Sequence, residues 1–185
     1  MKFVKLSCIA LAMLVVACTH APQRYGVSAE NNSALRALNA KNISVGNFQN
    51  TSNIENNCRG IYGALALPDK LSFEGYLQKA LQDELKVAGA YGNTEKSIVL
   101  TGNIEKLSFS TLTSITGGGS WDIGLRVKSS NGKEVYVTEH YEYDSSVQAW
   151  IACSEAASAY QPAIQNVLGK LFNSKEFKEM LVTVK

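Results

Sequence analysis

Four cysteines and two histidines carry most of the chemistry this 185-residue chain could do. Cys8 and Cys18 fall inside and just after an apolar N-terminal run, while Cys58 and Cys153 stand far apart in the body of the chain. No C-x-x-C pair occurs, which argues against a redox dithiol or a structural zinc site. His20 lies in a polar N-terminal stretch. His140 reads as a mid-strand residue, with Glu142 on its own face and Glu139 on the other, and no third ligand stands near it in sequence. A solvated sheet face is expected there, and no metal. A Ser-His-Asp triad would need His140 as its base, and no G-x-S-x-G accompanies it. Gly117-Gly118-Gly119-Ser120 has the small residues of a phosphate cradle, but such a loop needs a helix N-terminus behind it. Trp121 opens a strand pattern instead, so the glycines read as a hairpin loop. Nothing marks any two of the 16 acidic residues as paired catalytic carboxylates. No catalytic residue, no cofactor and no enzymatic activity are assigned.

Cys18 is the exception. Lys2 and Lys5 make a short positive segment, and Leu6 to Val16 is uncharged and almost wholly apolar. That run is too short to span a ~30 Å hydrocarbon core as a helix. A charged start, a short apolar run and a small-residue exit describe a secretory leader. Its end, Val15-Val16-Ala17-Cys18, resembles a bacterial lipobox. In that motif the thiol receives a diacylglyceryl group and cleavage just before it makes the cysteine the mature N-terminus. The competing readings are a plain transmembrane anchor or a plain secreted protein. Burying acyl chains contributes ~0.8 kcal/mol per CH₂, so several chains hold a protein on a membrane durably. Thr19 stands where an aspartate retains many lipoproteins in the inner membrane. Its presence favours the outer membrane, with the domain on the periplasmic face.

Removing residues 1–17 takes away Lys2 and Lys5 and leaves a near-neutral chain, since Lys plus Arg over the whole sequence is 18 against 16 Asp plus Glu. No basic field exists to hold nucleic acid. About 170 residues remain, enough for one domain with its own core. Cys58 and Cys153 are then the cysteines left for the domain. In an oxidising periplasm a disulfide between them is the default. It would close a loop of roughly 95 residues, worth ~4 kcal/mol on the chain-entropy model. A reactive thiol or metal pair is the competing reading. The N-x-S/T triplets at Asn31, Asn42 and Asn50 are read as chance in an Asn-rich chain.

Around these residues the elements follow from periodicity. Residues 18–40 read as a lipidated flexible tether, with a short helical turn near Ser33–Leu38, and 41–185 as a single domain. Asn42–Phe48 alternates like a strand, and a long loop through Cys58 ends at Pro68-Asp69. Phe73, Tyr76, Leu77, Ala80, Leu81, Leu85 and Ala88 give a helix, capped by Ser72 and ended by Gly89 or Gly92. Ile98, Leu100, Gly102 and Ile104 share a strand face that shifts to Leu107 and Phe109, which places a bulge near Glu105–Lys106. Trp121, Ile123, Leu125 and Val127 alternate next, and Asn131-Gly132 turns the chain into a return strand from Val135 to Tyr143. Trp150, Cys153, Ala157, Tyr160, Ile164, Val167, Leu168 and Leu171 form one apolar stripe, with Pro162 expected to kink or split that helix. A short terminal helix follows, docked by Phe177 and Leu181. The order β-α-β-β-β-α implies an α+β two-layer sandwich: a mostly antiparallel sheet with helices on one face. The other face would hold Tyr136 or the pair Tyr141 and Tyr143. The pair could bind peptide or glycan, or form part of the core and its rim.

Cys58-Arg59-Gly60, Phe73-x-x-Tyr76 with Asp83-Glu84-Leu85, Leu100-Thr101-Gly102, Gly119-Ser120-Trp121, Ser129–Lys133, Cys153 and Glu176-Phe177 are similar to a group of proteobacterial outer-membrane lipoproteins. The element order also resembles YajG-type lipoproteins and the N-terminal domain of TolB. These resemblances imply the fold and the address, and no activity. The function expected is that of a non-catalytic, lipid-anchored envelope protein, a binding or assembly accessory with an envelope protein as partner. The alternative is an inhibitor or immunity lipoprotein that plugs a periplasmic enzyme or toxin with the Cys58 loop or the Gly117–Gly119 hairpin. A cell-wall enzyme ranks below both.

Overall fold

The computed structural model describes residues 23–60, 64–115 and 117–181. Residues 1–22, with the leader and Cys18, lie outside the described residues. The chain forms α1 (Ala29–Ala37), β1 (Ile43–Asn50), α2 (Phe73–Ala88), β2 (Ile98–Ser110), β3 (Gly119–Ser129), β4 (Glu134–Tyr143), α3 (Ala149–Asn173) and α4 (Lys175–Met180). The sheet order is β1-β2-β3-β4. β1 pairs parallel to β2 through the α2 crossover, and β2-β3-β4 is an antiparallel meander. This is the expected α+β sandwich, with a mixed sheet.

Each element has a local cause. Ser72 caps α2 by accepting from the Gly75 N–H at 3.2 Å, and Gly89 ends it in the left-handed region at φ 71°. The face that α2 turns inward is buried from Phe73 through Leu85. In β2 the ladder to β3 slips between Ile104 and Lys106. That bulge returns Leu107 to the side of Leu100 and Ile104, and all three are buried with Trp121, Ile123, Leu125 and Val127 of β3. Gly102 is required by close approach: a Cβ there would lie 2.2 Å from the ring of Phe48 on β1. The buried Trp121 indole is satisfied by donating to the Ala156 carbonyl at 2.9 Å, and its ring packs on Tyr160 (4.8 Å) and Phe109 (5.0 Å).

Pro162 does not split α3, which runs unbroken from Ala149 to Asn173. Tyr160, Ala163 and Ile164 are buried on either side of it. Their burial outweighs the ~3 kcal/mol that the proline ring and its missing N–H cost. Trp150, expected in the buried stripe, is 60% exposed, because the buried face of α3 begins at Ala152 and Ala156 and the helical period puts Trp150 on the far side. Cys58 and Cys153 are disulfide-bonded, with Cα atoms 5.8 Å apart, so the loop after β1 is tied to the first turns of α3.

The tether expected over 18–40 is corrected for the residues described. From Gln23 onward the chain lies against α2 and α3. The turn expected near Ser33–Leu38 belongs to α1, and its Leu35 is in the core. The cause is Glu84, fully buried on α2. Its Oε1 accepts from Tyr25 Oη (2.6 Å), the Ser28 N–H (3.0 Å) and Asn31 Nδ2 (3.3 Å). Polar composition suggested solvation, but these groups instead converge on one oxygen of a buried carboxyl group, whose Oε2 has no hydrogen-bond partner among the described residues. Glu84→Ala is expected to cost about 2–4 kcal/mol in urea denaturation, because three donors lose their acceptor. Trypsin should then cut after Arg24 and Arg36 faster than in the parent, and Glu84→Gln, which keeps an acceptor, should fall between the two.

Candidate functional site

Helices cover one face of the sheet, and the other is open. Residues of β2, β3 and β4 alternate, so the side chains opposite the core on the three strands meet there. Arg126 is at the centre. Its Nε and Nη2 donate to the two carboxylate oxygens of Glu105 at 2.6 and 3.2 Å, and its Nη1 donates to Glu134 at 3.0 Å. Lys128 also reaches Glu134, at 3.2 Å. The Arg126 guanidinium lies over the Tyr136 ring, 5.0 Å from its centroid. Gly124 makes room for that ring, since a Cβ there would stand 2.4 Å from Tyr136 Oη. Beside this network runs a groove of about 460 Å³ that also takes in Asn47, Gln49 and Asn103. Of the tyrosines proposed for the open face, Tyr136 is the one that lies on it.

Nearer the β2–β3 loop, Asp122 joins a second set. Its Oδ1 is 3.2 Å from Lys106 Nζ and 3.1 Å from His140 Nδ1, and His140 Nε2 is 3.6 Å from Glu142. The Arg126 hydrogen bonds hold Glu105 below the usual carboxylate range. Burial raises Asp122, but its hydrogen bonds from His140 and Lys106 together bring it below its ordinary value. The hydrogen bond to Asp122 raises His140 above 6.5. Carboxylates so paired are held ionised, which suits ion-paired recognition and not proton donation. Among the described residues no group of three or more His, Cys, Asp or Glu is placed to hold a metal, and no helix is long and apolar enough to cross a membrane.

Tyr141 and Tyr143 point to the helical side, which corrects their placement on the open face. The unbroken register of β4 against β3 fixes this: Tyr141 is opposite Trp121 and Tyr143 opposite Gly119. Tyr143 folds over Gly119, whose Cβ would meet its ring at 2.3 Å, and donates to the Ser110 carbonyl at 2.9 Å. Burial raises its pKa above the ordinary tyrosine range. Both tyrosines line a wide cleft of about 770 Å³ with Gly117–Gly119.

Sequence reasoning missed Arg59. Its Nε and Nη2 donate to the Thr111 hydroxyl and carbonyl, and its Nη1 to the Val147 carbonyl, each at 2.9 Å. One residue from the disulfide, it binds the β1–α2, β2–β3 and β4–α3 connections together. The Cys58-Arg59-Gly60 triplet was its only mark in the sequence. The Arg126–Tyr136 stack was also missed, although Gly124 between apolar strand neighbours signals a close approach.

No family model matches the chain, and no curated protein matches it. A Xanthomonas campestris protein of family DUF330 is similar in structure at 13% identity and a TM-score of 0.46, over 86% of this chain and 94% of that one. A minor lipoprotein from Acinetobacter baumannii is similar at 11% identity and a TM-score of 0.31, over 69% of this chain and 94% of that one. Both scores are under 0.5, so neither likeness carries a functional argument.

The Asp122–His140 pair has a pH window. A raised histidine contributes stability that is fully present below its unfolded value and lost as pH rises through its folded midpoint. A lowered carboxylate contributes above its unfolded value and loses that contribution as pH falls through its folded one. The pair is therefore intact at mildly acidic pH and weakens as pH rises through the raised His140 midpoint. Proton NMR should give His140 a midpoint above 6.5, and Asp122→Asn should bring it back towards 6.5 by more than Glu142→Gln does.

Proposed function

We propose that this chain is a bacterial envelope lipoprotein, anchored through acylated Cys18 in the outer membrane, whose periplasmic domain binds an envelope protein without catalysing a reaction. The pairing of Cys58 with Cys153 carries the reading. A 95-residue separation bridged in the folded domain suits an oxidising compartment. It accounts for both domain cysteines and leaves Cys18, at the end of a lipobox-like run, outside the bridge. Thr19 supports the outer membrane over the inner one. The open sheet face supports binding: it presents an aromatic ring, amides and paired charges of both signs, the composition of a polar protein contact.

Cys18→Ala should leave an uncleaved chain that takes up no labelled fatty acid, and normal labelling of that variant would refute the anchor. Crosslinking in living cells, followed by denaturing purification, should recover a discrete envelope protein with the parent chain. Arg126→Ala with Tyr136→Ala should lose that product while keeping the lipid. Peptidoglycan cleavage by the purified chain, abolished by His140→Ala, would overturn the non-catalytic reading.

A further inference from the structure

Seven large apolar side chains are conspicuously exposed among the described residues, and four of them, Leu112, Ile115, Val147 and Trp150, fall in two short segments. Ile115 is 96% exposed and Trp150 60%. The segments are the β2–β3 connection and the start of α3, and they form one unit. Gly118 N–H donates to the Ser145 carbonyl at 3.0 Å, Ser145 Oγ donates to the Thr111 carbonyl at 3.0 Å, and Arg59 bridges the Thr111 and Val147 carbonyls. One end of the domain, where β2 and β4 finish and α3 begins, thus carries an apolar tip on a braced frame.

The N-terminal segment climbs towards the same end. Followed backwards, Asn31 contacts Gln165, Gly26 contacts Gln165 and Gln161, and Gln23 accepts from Tyr76 Oη at 3.1 Å. Arg24 pairs with Asp69 at 2.7 Å, just ahead of α2. Tyr76 is level with Tyr160 of α3, their rings 5.3 Å apart. From Tyr160 to Trp150 the helix rises about 15 Å. Cys18 precedes Gln23 by only five residues, which reach roughly 17 Å when fully extended. A membrane that holds Cys18 must therefore pass close to the domain, and the apolar tip stands at the end towards which the segment climbs.

We infer that Leu112, Ile115, Val147 and Trp150 seat the domain directly on the lipid surface that holds its own anchor, an inference that rests on the acylation of Cys18. Tryptophan prefers the headgroup level, where its amphipathic ring is half in water. Glu142 and Asp144 beside the tip are exposed and acidic, so insertion is apolar and needs no anionic lipid.

The test uses the full chain made in a lipoprotein-processing bacterium, with acylation read from intact mass. The protein is reconstituted in phosphatidylcholine–phosphatidylethanolamine vesicles, with plain or brominated acyl chains. The two tryptophans separate cleanly, since Trp121 is fully buried. Brominated lipid should quench Trp150 emission, and Trp150→Phe should remove that quenching. Leu112→Asp with Ile115→Asp should diminish it while leaving the acyl mass intact, and added anionic lipid should not strengthen it. An acylated chain whose Trp150 is open to iodide and untouched by brominated lipid overturns the seating and leaves the anchor standing. A Trp150 shielded from iodide without lipid quenching overturns it in favour of a second copy or another protein. An unacylated mass overturns the anchor, and the seating with it.

Discussion

One buried carboxyl group decides how this domain hangs from its N-terminus. Glu84 lies in the interior of the helical layer, where an oxygen without partners is costly. Its Oε1 takes its partners from Tyr25, Ser28 and Asn31, 53 to 59 residues earlier in the chain. The requirement runs both ways. The Asn31 amide is itself buried and divides its donors between Glu84 and the Gln165 carbonyl. The Tyr25 hydroxyl, its pKa raised by burial and by Glu84, is a firm donor at any ordinary pH. A segment without a strand or a long helix of its own is thereby fastened over the seam between α2 and α3.

A second constraint fixes the end of the molecule to which that segment leads. Long connections lose entropy slowly with length, so the stretch between β1 and α2 needs pins to be ordered. The Cys58–Cys153 bridge is one pin and Arg59 is the other. The guanidinium spends three donors on backbone and hydroxyl oxygens of two other loops. It joins three connections that no sheet ladder could join, because they lie past the last strand pairs. The exposed apolar tips therefore ride on a frame held covalently and by hydrogen bonds.

The sheet was legible because its signals are local. The alternation of β3, the Asn131-Gly132 turn and the change of phase in β2 each specify geometry within a few residues, and a bulge leaves its trace in the face pattern alone. The α2 stripe with its Ser72 and Gly89 caps was legible for the same reason. What was hidden depends on distant partners. Nothing near Tyr25 or Ser28 announces a carboxyl half a hundred residues away, so a polar stretch reads as solvated. The side taken by Tyr141 and Tyr143 depends on register against Trp121 and Gly119, and a one-residue change of register exchanges the two faces. Pro162 misled in another way: the local rule for proline held, but burial on both sides of it was larger. Arg126 looks in the sequence like any solvated strand residue, and only the neighbouring strands give it Glu105, Glu134 and Tyr136.

The two surfaces differ in kind, and the fold sets them at right angles. β2 and β4 both run towards the apolar tip, so a membrane at that tip lies across the strand ends. The open sheet face then stands along the membrane normal and looks sideways into the compartment. From Ser110 back to Asn103 the strand covers roughly 24 Å, which on the proposed seating lifts the groove clear of the headgroups. Its charges are already paired within the face, so its long-range field is weak and it cannot draw a partner from afar. Contact must come from shape, from the Tyr136 ring and from exchange of ion pairs at short range. Such a surface gains most from being held near its partner, since tethering both to one membrane raises their effective concentration without any new contact. With Cys18 acylated as proposed, the anchor that limits how the domain can turn also makes a weakly attractive face sufficient.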